Sequence, residues 1–77
     1  MKLLSGRITV DSKIVGGKPH FKGTRVPVYV VLEMLANQEK LEDILKAYPN
    51  LTEDDIKSAL TYARNLAEMP ASPVQRR

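Results

Sequence analysis

Seventy-seven residues, no cysteine and one histidine exclude a disulfide-stapled scaffold and a thiolate metal site, and leave a structural zinc site without enough ligands. The net charge of +3 hides an uneven layout: residues 1–32 carry six basic side chains against one acid, whereas residues 33–68 carry eight acids against four basic side chains. The longest apolar run, Val26 to Leu32, contains Pro27 and is far too short to cross a bilayer, and Met1 to Gly6 holds no signal-peptide core, so a soluble cytoplasmic protein is expected.

Arg7 to Asp11 alternates and is rich in β-branched residues, which predicts a short strand. Ile14-Val15 starts a return that Gly16-Gly17 breaks, and His20-Phe21-Lys22 predicts a second short strand ended by Gly23. A two-stranded ribbon of this size is unstable alone. His20 is read as an exposed ribbon residue.

Pro27 suits a helix start, where its missing N–H costs nothing. Val28, Val31, Leu32 and Leu35 follow helical spacing and predict a helix over 27–37. Val30 and Met34 widen the apolar surface beyond one stripe. A small domain covers such a helix on a second side, so a homodimer packed through Val30, Val31 and Met34 is expected. Leu41, Ile44, Leu45 and Tyr48 mark a shorter helix ending before Pro49.

The third helix has the clearest signals. Thr52 is the N-cap, Asp55 stands at the third helical position as in a capping box, and Leu51 and Ile56 flank the cap as a hydrophobic staple. Ile56, Ala59, Leu60, Ala63, Leu66 and Ala67 repeat on one face, which predicts a helix from about 53 to 68, stopped by Pro70. The organisation is one domain: residues 1–26 a ribbon and basic loop, 27–69 a three-helix bundle, 70–77 a tail.

The stretch Gly16 to Val28 decides the functional class. Gly17 and Gly23 do not have the spacing of a nucleotide phosphate loop, Thr24-Arg25 follows where Lys should stand, and Pro19 removes a backbone donor. Its glycines and prolines suit turns. Lys13, Lys18, Lys22 and Arg25 fall in an acid-free stretch and are the candidate nucleic-acid contacts. The alternatives are a solvated basic surface, or Arg25 in a buried ion pair with an acid of the later helices. His20 has no nearby Ser–Asp partner, so no catalytic residue, cofactor or metal site is assigned.

Gly17-Lys18-Pro19, Gly23-Thr24-Arg25-Val26-Pro27-Val28, Leu41-Glu42-Asp43-Ile44-Leu45, Tyr48-Pro49, Leu51-Thr52, Asp55-Ile56 and Ala59-Leu60 with Tyr62-Ala63 follow one another in an order and spacing that resembles the prokaryotic domain-of-unknown-function family 433 over about residues 8–65. The resemblance implies a mainly α fold: a small three-helix, homeodomain-like helix-turn-helix bundle with a short N-terminal β-ribbon. It also implies an antitoxin-like, non-catalytic role beside a PIN-like ribonuclease toxin. Family members often carry Gly near position 38 and Ser or Thr near position 40, where this chain has Gln38 and Lys40.

In a helix-turn-helix the start of the second helix meets base edges. Here those residues are Glu53, Asp54 and Asp55, whose carboxylates suit the helix dipole and repel phosphates. DNA contact is therefore expected from the basic ribbon and Arg25 instead. Met69 and, on the proline-containing tether after it, Arg76 and Arg77 are the candidate partner contacts, the two arginines toward the acidic metal centre of a toxin nuclease.

Overall fold

The computed structural model describes residues 2–69. In chain order they form β1 (Lys2–Ser5), β2 (Ile8–Val10), a 3-10 turn (Val15–Gly17), β3 (His20–Phe21), α1 (Val28–Ala36), α2 (Leu41–Ala47) and α3 (Glu53–Glu68). The fold is mainly α, three helices with a small antiparallel sheet of order β1-β2-β3 at the N-terminus.

The predicted ribbon is the pairing of β2 with β3, in register Ile8↔Phe21 and Thr9↔His20. A third strand, β1, pairs antiparallel with β2, with a bulge between Leu3 and Ser5. Gly6 and Arg7 make the two-residue link, with Gly6 at φ +50, a backbone state glycine adopts without a Cβ clash. The segment Lys2–Ser5 has neither alternation nor β-branched residues, so its sequence does not announce a strand.

β3 closes the sheet against the helices. An isolated bridge joins His20 to Pro27, and the Val28 N–H donates to the Pro19 carbonyl at 2.9 Å. That hold buries His20 to 1% exposure, which corrects the reading of an exposed ribbon residue. Its Nδ1 donates to the Lys18 carbonyl at 3.2 Å.

The core is formed by Ile8 and Phe21 from the sheet, Val26 from the connection, Val28 and Val31 from α1, Ile44 from α2, and Leu51, Ile56 and Ala59 at α3. Val31 is fully buried there. It belongs to this chain's own interior, which corrects its assignment to a dimer contact; Val30 and Met34 are only half-buried.

α3 opens as the sequence predicts. Thr52 Oγ1 accepts from the Asp55 N–H at 3.3 Å and Asp55 Oδ2 accepts from the Thr52 N–H at 2.9 Å, a complete capping box. Leu51 and Ile56 are both buried beside it. The predicted stripe reaches the core only through its first half: Ile56 and Ala59 are buried, whereas Leu60, Leu66 and Ala67 are exposed. Length explains the last two. α3 has 16 residues and spans about 24 Å at 1.5 Å per residue, whereas α1 has 9 and α2 has 7. Tyr62 still packs against the core, and the turns after it, with Leu66 and Ala67, stand clear of it; Leu60 points about 100° away from Ala59 on the helix.

The α1–α2 turn shows what the two departures from the family pattern do. α1 ends in a Schellman arrangement: the Glu39 N–H reaches the Met34 carbonyl at 3.0 Å and the Gln38 N–H reaches the Leu35 carbonyl at 2.9 Å. Gln38 occupies the left-handed position at φ +66, where glycine is usual. Lys40 stands at the N-cap of α2 with no side-chain cap bond. Gln38→Gly is therefore expected to raise stability by about 0.5–1 kcal/mol, the left-handed penalty of an L-residue less the added freedom of the unfolded chain. Urea unfolding checks it: an unchanged or lower midpoint would show that Gln38 bears no such penalty.

Candidate nucleic-acid interface

Four residues, Lys22 to Arg25, link the end of β3 to the approach to α1, and their backbone is tied down at both ends. The Lys22 N–H donates to the Arg7 carbonyl at 2.7 Å, which fixes the turn to the β1–β2 link. The Phe21 carbonyl accepts from the Thr24 N–H at 2.9 Å and from Thr24 Oγ1 at 2.8 Å. Thr24 Oγ1 in turn accepts from the Val26 N–H at 3.0 Å. Gly23, at φ +80, lets the chain reverse inside this hydrogen-bonded frame. The turn presents Lys22 and Arg25 as exposed cations on a backbone that is already ordered.

Neither Lys22 nor Arg25 is held in an ion pair among the described residues. Both line one open hollow, together with His20, Asn50 and Asp11. Lys22 also lines a second hollow with Gly6, Gly23 and Arg7. Arg7 lines a third with Lys57, Ser58, Thr61 and Asp54 on the side of α3. The shared residues make these three hollows neighbours, so Arg25, Lys22, Arg7 and Lys57 follow one another across the surface.

The other two candidates lie elsewhere. Lys18 is exposed at the edge of an apolar groove lined by Pro19, Val28, Tyr29, Leu32 and Tyr62. Lys13 is exposed in the turn after β2, where its N–H donates to Asp11 Oδ1 at 2.9 Å. The four predicted contacts therefore divide into one adjacent pair, Lys22 and Arg25, and two separate cations. Arg76 and Arg77 lie outside the described residues, and Met69, at the end of α3, is 63% exposed.

An ion pair with an acid of the later helices, the alternative considered for Arg25, is made by Arg7 instead. Its Nε donates to Asp55 Oδ1 at 2.6 Å, with the arginine side chain 50% and the aspartate 8% exposed. Asp55 thus serves two elements: Oδ2 closes the cap of α3 and Oδ1 holds the β1–β2 link. The partners lie 48 positions apart, so no local pattern in the sequence could reveal the contact. Glu53 and Asp54, in contrast, are exposed on the first turn of α3, where they complement the helix dipole and place negative charge at the point where a helix-turn-helix would meet bases.

Among the described residues, no three His, Asp or Glu side chains converge as a metal site. No helix among them is long and apolar enough to cross a membrane.

Residues 8–63 match the model of a family described as proteins of unknown function, DUF433. The chain is also similar to the uncharacterized protein y4eO of Sinorhizobium fredii, 41% identical over 56 residues. Those residues are 73% of this chain and 25% of y4eO, so this chain spans about a quarter of that relative. No solved structure gives a significant match.

Proposed function

From its place in the DUF433 family, to which this chain belongs, we propose that the protein is a non-catalytic, antitoxin-like DNA-binding regulator of the prokaryotic cytoplasm. It acts as a homodimer and binds a PIN-like ribonuclease toxin. The observation that carries the DNA part is the pair Lys22 and Arg25, exposed and unpaired on a hydrogen-bonded turn that adjoins Arg7 and Lys57. Cations on an ordered turn meet phosphates without first losing backbone freedom. A dimer doubles them. The acids at the start of α3 favour backbone contact over base reading at that point.

The protein contacts draw on the exposed side and last turns of α3. Leu60 and Leu66 stand exposed there, and Tyr29 is exposed on α1. These residues, beside Val30 and Met34, supply apolar surface to a second copy. Met69 stands exposed at the end of the same helix, and it and the following Arg76 and Arg77 are the proposed toxin contacts.

Binding to duplex DNA measured by fluorescence anisotropy tests the reading. Wild type is expected to lose affinity steeply between about 50 and 200 mM salt, with a log–log slope near −0.9 for each phosphate neutralised. Lys22→Glu with Arg25→Glu is expected to reduce affinity at least about a hundredfold, because two attractions per subunit become two repulsions. Wild type that binds no DNA at low salt would leave a protein-interaction module, the role that the apolar end of α3 favours.

A further inference from the structure

We propose that Arg7, held in place by Asp55, forms with Lys57 a second seat for the phosphate backbone of duplex DNA, on the flank of α3. The proposal rests on the DNA-binding reading and adds residues that reading does not use.

The seat begins with a division of labour within one guanidinium. Nε of Arg7 is committed to Asp55 Oδ1, while its terminal Nη groups make no hydrogen bond among the described residues and the side chain is half exposed. Asp55 is itself fixed, accepting from the Thr52 N–H at 2.9 Å and from Thr52 Oγ1 at 3.2 Å through Oδ2. The arginine is thus oriented by a buried carboxylate that cannot swing away. Its outer edge offers two N–H-bearing groups in the planar fork that suits a phosphate.

The surroundings add donors at the right place. Arg7, Lys57, Ser58 and Thr61 line one hollow of about 490 Å³ beside Gly6. The absence of a side chain at Gly6 keeps that link close to α3: a Cβ there would stand 3.2 Å from Ser58 Oγ. Lys57 and Thr61 lie one turn apart on α3, so an ammonium and a hydroxyl face the same space. Through Arg7 the hollow adjoins that of Lys22, and through Lys22 that of Arg25. A phosphate backbone following Arg25, Lys22, Arg7 and Lys57 crosses the sheet tip and runs along α3, past its acidic first turn. Asp54 lines the same hollow and opposes a phosphate there. Its carboxylate makes the test sensitive to sign.

Anisotropy titrations with a short mixed-sequence duplex, over about 50 to 200 mM salt, separate the outcomes. Lys57→Gln is expected to weaken binding about five- to tenfold at 100 mM salt and to reduce the slope by about one unit. Asp54→Asn is expected to tighten binding by a similar factor. Both leave the Arg7–Asp55 pair intact, so folding does not confound them. Arg7→Gln is expected to lose at least as much affinity as Lys57→Gln. In wild type, the NMR signal of the Arg7 Nε–H is expected to shift on adding the duplex. If Lys57→Gln and Asp54→Asn bind as wild type does while Lys22→Glu with Arg25→Glu abolishes binding, this seat is overturned and the regulator reading stands. If wild type binds no duplex, both fall.

Discussion

Phe21→Ala is expected to remove about 3–5 kcal/mol of the stability of the fold at 25 °C. Phe21 is the only phenylalanine of the chain and is fully buried. It pairs with Ile8 across β2–β3 and stands in the cluster that includes Val28 and Val31 of α1 and Ile56 and Ala59 of α3. Truncating such a ring costs about 3–5 kcal/mol, from lost transfer energy and from the cavity it leaves. A domain of this size has about 4–12 kcal/mol in total, so a large share of its stability goes. The effect extends to the surface. The Phe21 carbonyl anchors the turn that carries Lys22 and Arg25, and a displaced β3 releases that turn. Urea unfolding followed by circular dichroism gives the measurement. A loss under about 1 kcal/mol would show that the small sheet is not packed against the helices as described.

Asp55→Ala is expected to cost about 2–4 kcal/mol. The substitution removes a cap worth about 1 kcal/mol and a charge-assisted bond worth about 1.5–3 kcal/mol. It detaches the β1–β2 link from α3 at the same time. Asp55→Asn retains an acceptor for the Thr52 N–H and loses the charge facing Arg7, so it is expected to fall between wild type and Asp55→Ala. Asp54→Ala, one position away and exposed, is the comparison that matters: its cost is expected to stay within about 0.5 kcal/mol. Equal losses at 54 and 55 would show that general charge near the helix start, rather than the two bonded oxygens, supports the fold.

These two positions also mark where the sequence was legible. Thr52, Asp55, Leu51 and Ile56 act within six residues of one another, and a local pattern suffices to find the start of α3. The second role of Asp55, its hold on Arg7, depends on a chain reversal no local pattern contains. The same limit applies to burial. Periodicity names the apolar side of a helix but not how far its neighbours extend, and so Leu60 and Leu66 were grouped with residues that reach the core. The apolar residues of α1 exceed what one stripe needs, which points Val31 to a second copy, whereas the fold gathers Ile8, Phe21, Ile44 and Ile56 from four other segments around it. His20 was read as exposed from its glycine-rich surroundings, whereas bridging to Pro27 seals it in. The basic layout was legible as composition only. Folding places Lys22 and Arg25 side by side, sends Lys13 and Lys18 elsewhere, and adds Arg7 from the link before β2 and Lys57 from α3, both outside the acid-free stretch.

The overhang of α3 has an energetic consequence. An isolated stretch of about six residues does not hold a helix in water, so the turns beyond Tyr62 take their order from the part that is packed. Its supports are slight. The last turn has no basic residue to balance the dipole, and the exposed Arg64–Glu68 pair, at 3.4 Å, runs in the less favourable direction along the helix. Its amide hydrogens therefore exchange with solvent through local opening, at a free energy well below that of unfolding the whole domain. A partner seated on this arm acts as a clamp, and its grip is measurable as slower exchange over residues 63–68 alone.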